Sequence, residues 1–212
     1  MVMRYRNIIW DFDGTLFDTY PGMCRSLRQA MESIGIRVTE EELLPRFLVS
    51  MRVAIEYCAE QGNVDEEFAF QTYRTWVKEH PLPEAHPYPG AEAILKQFQA
   101  AGGRNFVFTH RGPTVHTYVA QEGWTPYFTE VVPFGPDFER KPFPSGNLYL
   151  MERHGLKREE TLAVGDRELD VLAAKAAGIT ACLVSHEGSV TAADHRVSEL
   201  EELYVLIGLE KE

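Results

Sequence analysis

From residue 90 onward, the sequence alternates between short apolar runs and longer segments with helical periodicity. Such alternation predicts strands joined by helices, because a helix is the usual crossover between parallel strands. Strands are predicted at 105–108, 128–132, 161–164 and 179–184, and helices at 91–101, 113–122, 146–154, 168–177 and 198–207. The mostly apolar run at 7–12 is predicted as a further strand, buried on both faces. The pattern therefore favours an α/β fold with a doubly wound parallel sheet.

The segment from about residue 21 to residue 80 has helical spacing and no convincing strand. Its apolar residues recur at this spacing as far as Ile34, and Gly35 is a natural helix stop. Thr39 and Glu42 are spaced as a capping box at the start of a second helix. Two more helices are predicted at 51–59 and 65–78. We therefore interpret this segment as all-helical.

Two linkers are predicted to connect the helical segment to the rest of the chain. The outgoing linker lies near residues 18–20, and a proline-rich stretch at 81–90 forms a stiff return. The predicted organisation is an α/β core at 1–17 and 84–212 that carries an inserted helical domain at 18–83.

The charge and cysteine content narrow the expected partners and location. A formal net charge of −11 repels nucleic acid and anionic lipid at long range, so neither is expected to bind. No secretory signal and no membrane-spanning helix are expected. The cysteines Cys24, Cys58 and Cys182 are far apart, which favours buried thiols over a disulfide framework or zinc site. A reducing, cytoplasmic location fits this composition.

Four groups of polar residues coincide with predicted strand ends or their loops: Asp11-x-Asp13-Gly14-Thr15, Thr109, Lys141-Pro142 and Gly165-Asp166-x-x-x-Asp170. Each group alone has an ordinary structural explanation as a turn, a local hydrogen bond, a solvated charge or a helix cap. Together they are expected to converge, because ligands of open α/β sheets bind at the carboxyl ends of the strands. Clustered carboxylates require a cation, and oxygen ligands suit Mg²⁺. We therefore predict a magnesium and phosphate site.

The segment Asp11–Thr19 resembles the first motif of the haloacid dehalogenase superfamily, and the other three motifs follow in the family's order. Pro89-Gly90 and Ala176-Ala177-Gly178 are similar to the phosphoglycolate phosphatase and β-phosphoglucomutase branch. This resemblance implies Mg²⁺-dependent hydrolysis of a small phosphorylated metabolite through an aspartyl-phosphate. It also implies that the helical insert is a cap that sets substrate choice.

The resemblance assigns roles to individual residues. It implies that Asp11 is the nucleophile and that Asp13 is first the general acid and then the general base. Thr109 would donate a hydrogen bond to the transferring phosphoryl group, and Lys141 would offset negative charge. The implied metal ligands are Asp11, Asp13 through its main-chain carbonyl, Asp166 and Asp170.

Three further positions each admit two interpretations. His110 either contacts substrate or is a turn histidine, and Arg167 either alters the surroundings of the metal or, as we expect, points to solvent. Arg52 follows a predicted helix start and resembles a substrate contact of the mutase branch, and the alternative is a solvated helix charge.

Other functions compete with the phosphatase hypothesis. A phosphomutase would use the same Asp11 and Asp13, and the sequence does not separate the two. A receiver domain carries its acceptor aspartate on a later strand, and a binding protein without catalysis would not need the full motif set. A dehalogenase would not need Asp13. Phosphoglycolate, sugar phosphates and nucleotide monophosphates all fit, and the oligomeric state is left open.

Overall fold

The computed structural model describes residues 3–80, 83–185 and 191–210, and the chain divides into two compact units. The first unit comprises Met1–Phe17 and Pro87–Glu212, and the second comprises Asp18–His86. The second unit therefore ends slightly later than the predicted residue 83.

Strands and helices alternate through the first unit, whereas helices alone follow one another through the interior of the second. The strands are β1 (Asn7–Trp10), β2 (Phe17–Asp18), β3 (His86–Pro87), β4 (Arg104–Phe108), β5 (Phe128–Val132), β6 (Thr161–Gly165), β7 (Thr180–Val184) and β8 (His195–Val197). The helices are α1 (Tyr20–Glu32), α2 (Glu40–Val49), α3 (Met51–Gly62), α4 (Glu66–Glu79), α5 (Ala91–Ala100), α6 (Val115–Gln121), α7 (Ser145–His154), α8 (Glu168–Ala177) and α9 (Leu203–Ile207).

A six-stranded parallel sheet forms the centre of the first unit, with the strand order β5-β4-β1-β6-β7-β8. The first strand of the chain, β1, lies between β4 and β6, and all its residues are buried. Full burial of the central strand explains why its sequence is an apolar run rather than an alternating pattern. The predicted doubly wound parallel sheet is confirmed, and β8 is an additional edge strand that the sequence analysis did not predict.

Side chains of the central strands alternate between the two faces of the sheet. Ile9 belongs to a buried cluster with Leu150 of α7 and Val171 of α8. The next residue, Trp10, points to the opposite face because successive side chains of a strand alternate, and it is fully buried. Its indole N–H donates to the Asn105 side-chain oxygen at 3.0 Å, which satisfies the buried donor. The first unit thus has an apolar layer on each face of the sheet.

The second unit is built from helices α1 to α4 around its own buried core. Helix α1 ends before Gly35, whose φ of +82° is readily adopted only by glycine. The predicted capping box of α2 is confirmed, since the Thr39 hydroxyl accepts the Glu42 N–H at 3.2 Å and the Glu42 carboxylate accepts the Thr39 N–H at 2.8 Å. These local signals explain why the helical segment could be predicted well.

The chain passes between the units twice, at β2 and β3. These short strands pair with each other in a separate two-stranded sheet, where the sequence analysis predicted only linkers. Just beyond β3, the N–H of Tyr88 donates to the carbonyl of Leu16 at 2.9 Å. This last hydrogen bond joins the two segments of the first unit next to the paired strands.

The cysteines are free and buried, as predicted. Burial raises the pKa of Cys58 and of Cys182 to about 12, so neither thiol is a reactive thiolate at neutral pH. Within residues 3–80, 83–185 and 191–210, no helix has the length and apolar character needed to cross a membrane.

Candidate active site

The first predicted motif forms a tight loop directly after β1. The carbonyl of Phe12 accepts the N–H of Phe17 at 3.1 Å, which closes the loop on itself. Gly14 lies within it at φ +81°, a conformation that favours glycine. Asp11 and Asp13 are therefore placed at the carboxyl end of the central strand, the position where ligands bind in such sheets.

Lys141 joins the first motif to the last one. Its ammonium lies 2.6 Å from Oδ1 of Asp11 and 2.6 Å from Oδ1 of Asp170. All three side chains are almost completely buried, which makes these contacts charge-assisted hydrogen bonds in a water-poor environment. Burial acts to lower the pKa of Lys141, but the two carboxylates outweigh burial and raise it. Lys141 is therefore a fixed positive charge at neutral pH.

The negative charge of Asp11 is less well compensated than that of Asp170, the other carboxylate that contacts Lys141. Burial raises the pKa of its carboxyl to about 6, although the Lys141 charge acts in the opposite direction. Its Oδ2 atom is buried and has no hydrogen-bond partner among the described residues. A buried carboxylate oxygen without a partner is costly and points to a function that uses it.

Asp11, Asp166 and Asp170 each offer an oxygen, and these oxygens lie within 4.8 Å of one another. Asp170 accepts the Arg167 N–H at its Oδ2 at 3.1 Å, and the Thr15 hydroxyl lies 3.3 Å from Oδ1 of Asp166. Burial acts to raise the pKa of Asp170, but the charges of Lys141 and Arg167, and the hydrogen bonds that these two residues donate, outweigh burial and lower it. An all-oxygen group of this size fits a hard divalent cation such as Mg²⁺.

The last motif also contains a glycine that makes room for one of the acids. A Cβ atom on Gly165 would lie 2.4 Å from Cβ of Asp170, closer than real Cβ contacts allow. Glycine at the end of β6 therefore permits Asp170 to approach the strand and to reach Lys141.

Asp13 lies outside the group of three acids and contacts Arg111 instead. The Nε and Nη2 atoms of Arg111 donate to Oδ1 of Asp13 at 2.8 and 2.6 Å. Arg111 was not predicted as a site residue, because an arginine soon after a strand end is most often a solvated surface charge. The predicted metal ligand at this position is the main-chain carbonyl of Asp13, and that assignment stays a prediction.

Thr109 and His110 follow β4 and belong to the same edge of the sheet. The Thr109 hydroxyl is buried and accepts the Arg111 N–H at 3.0 Å. Nε2 of His110 accepts the Lys141 N–H at 2.7 Å, which ties the two loops together. Burial, followed by the Lys141 charge, lowers the pKa of His110 to about 3, so the ring is neutral and Nε2 is available as the acceptor. A substrate contact by His110 stays a prediction.

The prediction that Arg167 points to solvent is wrong. Its side chain is only 13% exposed, and its Nε lies 4.0 Å from Oδ1 of Asp166. The reason is its N-cap position on α8, between the two acids of the last motif, where its charge also lowers the pKa of Asp170. Arg52, in the second unit, is 74% exposed and pairs with Glu56 at 2.8 Å. Its role in substrate binding stays a prediction.

Comparison with known proteins identifies the family. A model of the haloacid dehalogenase-like hydrolase family matches residues 8–184. Phosphoglycolate phosphatase from Vibrio vulnificus is 31% identical over 189 residues, which cover 81% of this chain and 79% of that protein. The corresponding protein of Vibrio parahaemolyticus is 30% identical with the same coverage.

A solved structure shows the same fold. The crystal structure from Haemophilus somnus of a protein described as a predicted phosphoglycolate phosphatase superposes with a TM-score of 0.83. The sequences are 20% identical, and the match covers 97% of this chain and 99% of the other. The motif order, the parallel sheet and the family match agree with one another, and the chain therefore belongs to the haloacid dehalogenase-like hydrolase family.

Proposed function

We propose that this chain is a Mg²⁺-dependent phosphatase that hydrolyses a small phosphomonoester through a phosphoryl group carried on Asp11. The phosphoglycolate phosphatases that share about 30% identity with the chain support phosphatase activity. Phosphoglycolate is therefore the first substrate to test, followed by sugar phosphates and nucleotide monophosphates.

The observation that carries this proposal is the buried Oδ2 atom of Asp11, which has no hydrogen-bond partner in the part of the chain that the structure describes. The other oxygen of this carboxylate is held by Lys141 at 2.6 Å, which leaves Oδ2 as the atom to attack phosphorus. Attack forms the bond between Asp11 and phosphorus and breaks the bond between phosphorus and the leaving oxygen. A carboxylate attacks a phosphate only when negative charge on the phosphate is masked, and Lys141 supplies a fixed positive charge next to Asp11.

Asp11, Asp166 and Asp170 would hold the magnesium ion, together with the main-chain carbonyl of Asp13. The mutual approach of the three carboxylates to within 4.8 Å and their oxygen-only chemistry fit this ion. When bound, the ion would neutralise charge on the phosphate and on the three acids.

Asp13 is proposed to handle the protons of both half-reactions. It would give a proton to the leaving oxygen during attack by Asp11. It would then remove a proton from the water that attacks phosphorus and releases Asp11 as a free carboxylate. Thr109, which is buried at the same sheet edge and receives the Arg111 N–H, can direct its own proton toward a phosphoryl oxygen.

The helical unit at Asp18–His86 is proposed to act as the cap that selects substrates. Arg52 and His110 are proposed substrate contacts with different constraints. Arg52 would have to leave Glu56, whereas His110 would have to use Nδ1 or a ring edge while Nε2 keeps the Lys141 N–H.

The test is phosphate release from 4-nitrophenyl phosphate and from a panel of small phosphomonoesters, with and without Mg²⁺. Asp11→Asn is compared with wild type and with Asp137→Asn, which changes an exposed carboxylate of the same unit. We expect metal-dependent release that Asp11→Asn abolishes and Asp137→Asn preserves. Full activity in Asp11→Asn would refute the mechanism. Transfer of the phosphoryl group to a second hydroxyl, in place of release, would favour a phosphomutase.

A further inference from the structure

Arg111 makes one of the most buried ion pairs of the first unit. Its Nε and Nη2 atoms lie 2.8 and 2.6 Å from the same oxygen, Oδ1 of Asp13. The two side chains are 13% and 12% exposed, so water competes weakly for these hydrogen bonds. Rotation of the Asp13 carboxylate would break both bonds together, which restricts this side chain to one orientation.

The arginine is itself held on several sides. Its N–H donates to the Thr109 hydroxyl at 3.0 Å, and its carbonyl accepts the Phe134 N–H at 2.9 Å. The guanidinium carbon lies 5.1 Å from the centre of the Tyr118 ring, within the range of a cation–π contact. Because both the backbone and the head group of Arg111 are fixed, the arginine can impose its geometry on Asp13.

We propose that Arg111 is a positioning residue: it holds Oδ1 of Asp13 and so directs the other carboxyl oxygen, which carries the proton when substrate is bound, toward the leaving-group oxygen of the substrate. This inference rests on the proposed function, in which Asp13 transfers the proton to that oxygen. Proton transfer requires a fixed distance between donor and acceptor, and a displacement of about 1 Å reduces catalysis by about 100-fold. A lysine at this position would not restore the effect, because its ammonium lacks the planar pair of donors.

The experiment compares two substrates that differ in their need for a proton donor. Glycolate leaves 2-phosphoglycolate as a poor leaving group, whereas 4-nitrophenolate departs from 4-nitrophenyl phosphate without protonation. The ratio kcat/KM covers the steps up to departure of the leaving group. The variants are Arg111→Met and Arg111→Lys, each studied as the full chain with Mg²⁺. The matched control is Arg153→Met, which removes an arginine that is 58% exposed.

We expect both Arg111 variants to lower kcat/KM for 2-phosphoglycolate by about 100-fold and for 4-nitrophenyl phosphate by about threefold or less. The control should change neither value. In an Asp13→Asn background, Arg111→Met should cause no further loss, because a positioning residue has no effect once its target is absent. Circular dichroism spectra identical to those of wild type would show that the variants fold.

Several results would overturn the inference. Equal losses on both substrates, or a further loss in the Asp13→Asn background, would show that Arg111 does not act through Asp13. A higher KM at unchanged kcat would show that it binds substrate instead. If Asp13→Asn itself kept full activity on 2-phosphoglycolate, the proposed proton transfer would fail, and the inference with it. If Arg111→Met kept full activity while Asp13→Asn lost activity, the inference would fail and the proposed function would stand.

Discussion

Replacing Asp11 with Asn is expected to stabilise the metal-free protein at neutral pH while abolishing catalysis. Burial, the largest cause, raises the pKa of this carboxyl from its ordinary value of 3.8 to about 6. A pKa difference of one unit corresponds to about 1.4 kcal/mol, so the buried carboxylate costs about 3 kcal/mol of unfolding free energy at pH 7.5. The pKa of about 6 already includes the attraction of Lys141, and Lys141 keeps Asp170 as a partner in the variant, so we expect asparagine to give a net gain of about 1–3 kcal/mol.

The stability gain from Asp11→Asn is expected to depend on pH. Between pH 3.8 and about 6, the folded chain keeps a proton on Asp11 that the unfolded chain has released. The unfolding free energy of wild type therefore falls as the pH rises through this window, and the full cost persists above it. The gain from Asp11→Asn should consequently be larger at pH 7.5 than at pH 4.5 by about 2 kcal/mol.

The assay is urea unfolding followed by tryptophan fluorescence at low protein concentration, in the presence of a chelator. Wild type and Asp11→Asn are compared at pH 4.5 and pH 7.5, with the exposed Asp137→Asn variant as the control. Mg²⁺ in place of the chelator should stabilise wild type more than Asp11→Asn, because the variant lacks one of the proposed ligands of the ion. An Asp11→Asn protein that is less stable than wild type at pH 7.5 without metal would refute the reasoning, as would a gain that is independent of pH.

Three further predictions follow from the same site. Burial lowers the pKa of His110 from 6.5 to about 3. Above pH 6.5 the ring is neutral in both the folded and the unfolded chain. As the pH falls below 6.5, only the unfolded chain binds a proton at this residue, so the unfolding free energy falls. His110→Gln should therefore remove about 2–3 kcal/mol of acid destabilisation between pH 7 and pH 4.5, and urea unfolding with equal pH dependence in both proteins would contradict this. Gly165→Ala should displace Asp170 and destabilise the fold by about 1–3 kcal/mol, with weaker Mg²⁺ activation, whereas Gly112→Ala, whose Cβ meets nothing within 4 Å, should leave both unchanged. A chelator should abolish phosphate release, and added Mg²⁺ should restore it; undiminished release in the chelator would contradict the proposed metal site.

The sheet and helices of the first unit were predictable because apolar periodicity reports burial directly. The central strand reads as an apolar run, and the structure buries every residue of it. Strand β8 escaped prediction because His195–Val197 has only three residues at the sheet edge and no apolar run. The pairing of β2 with β3 also escaped, because it joins two-residue strands that are distant in sequence.

The site was predictable in composition but not in all its contacts. The acids, Thr109 and Lys141 were identified through motif order, and the structure brings Lys141 to 2.6 Å from two of those acids. Arg111 and the buried position of Arg167 were not predicted, because the direction of a long charged side chain depends on its tertiary surroundings. The same applies to the hydrogen bond between His110 and the Lys141 N–H, which joins loops from different strands.

The paired strands β2 and β3 make the helical unit exchangeable. Residues 18–86 form one continuous segment, and the chain leaves the first unit at β2 and returns to it at β3, the strand that pairs with β2. A single recombination event can therefore exchange the whole unit without changing the order of the strands that carry the acids. Under the proposed function, in which this unit selects the substrate, substrate range and phosphoryl chemistry can evolve at different rates. On the same proposal, grafting the corresponding segment of a relative between Phe17 and Pro87 would transfer substrate choice without rebuilding the acidic site.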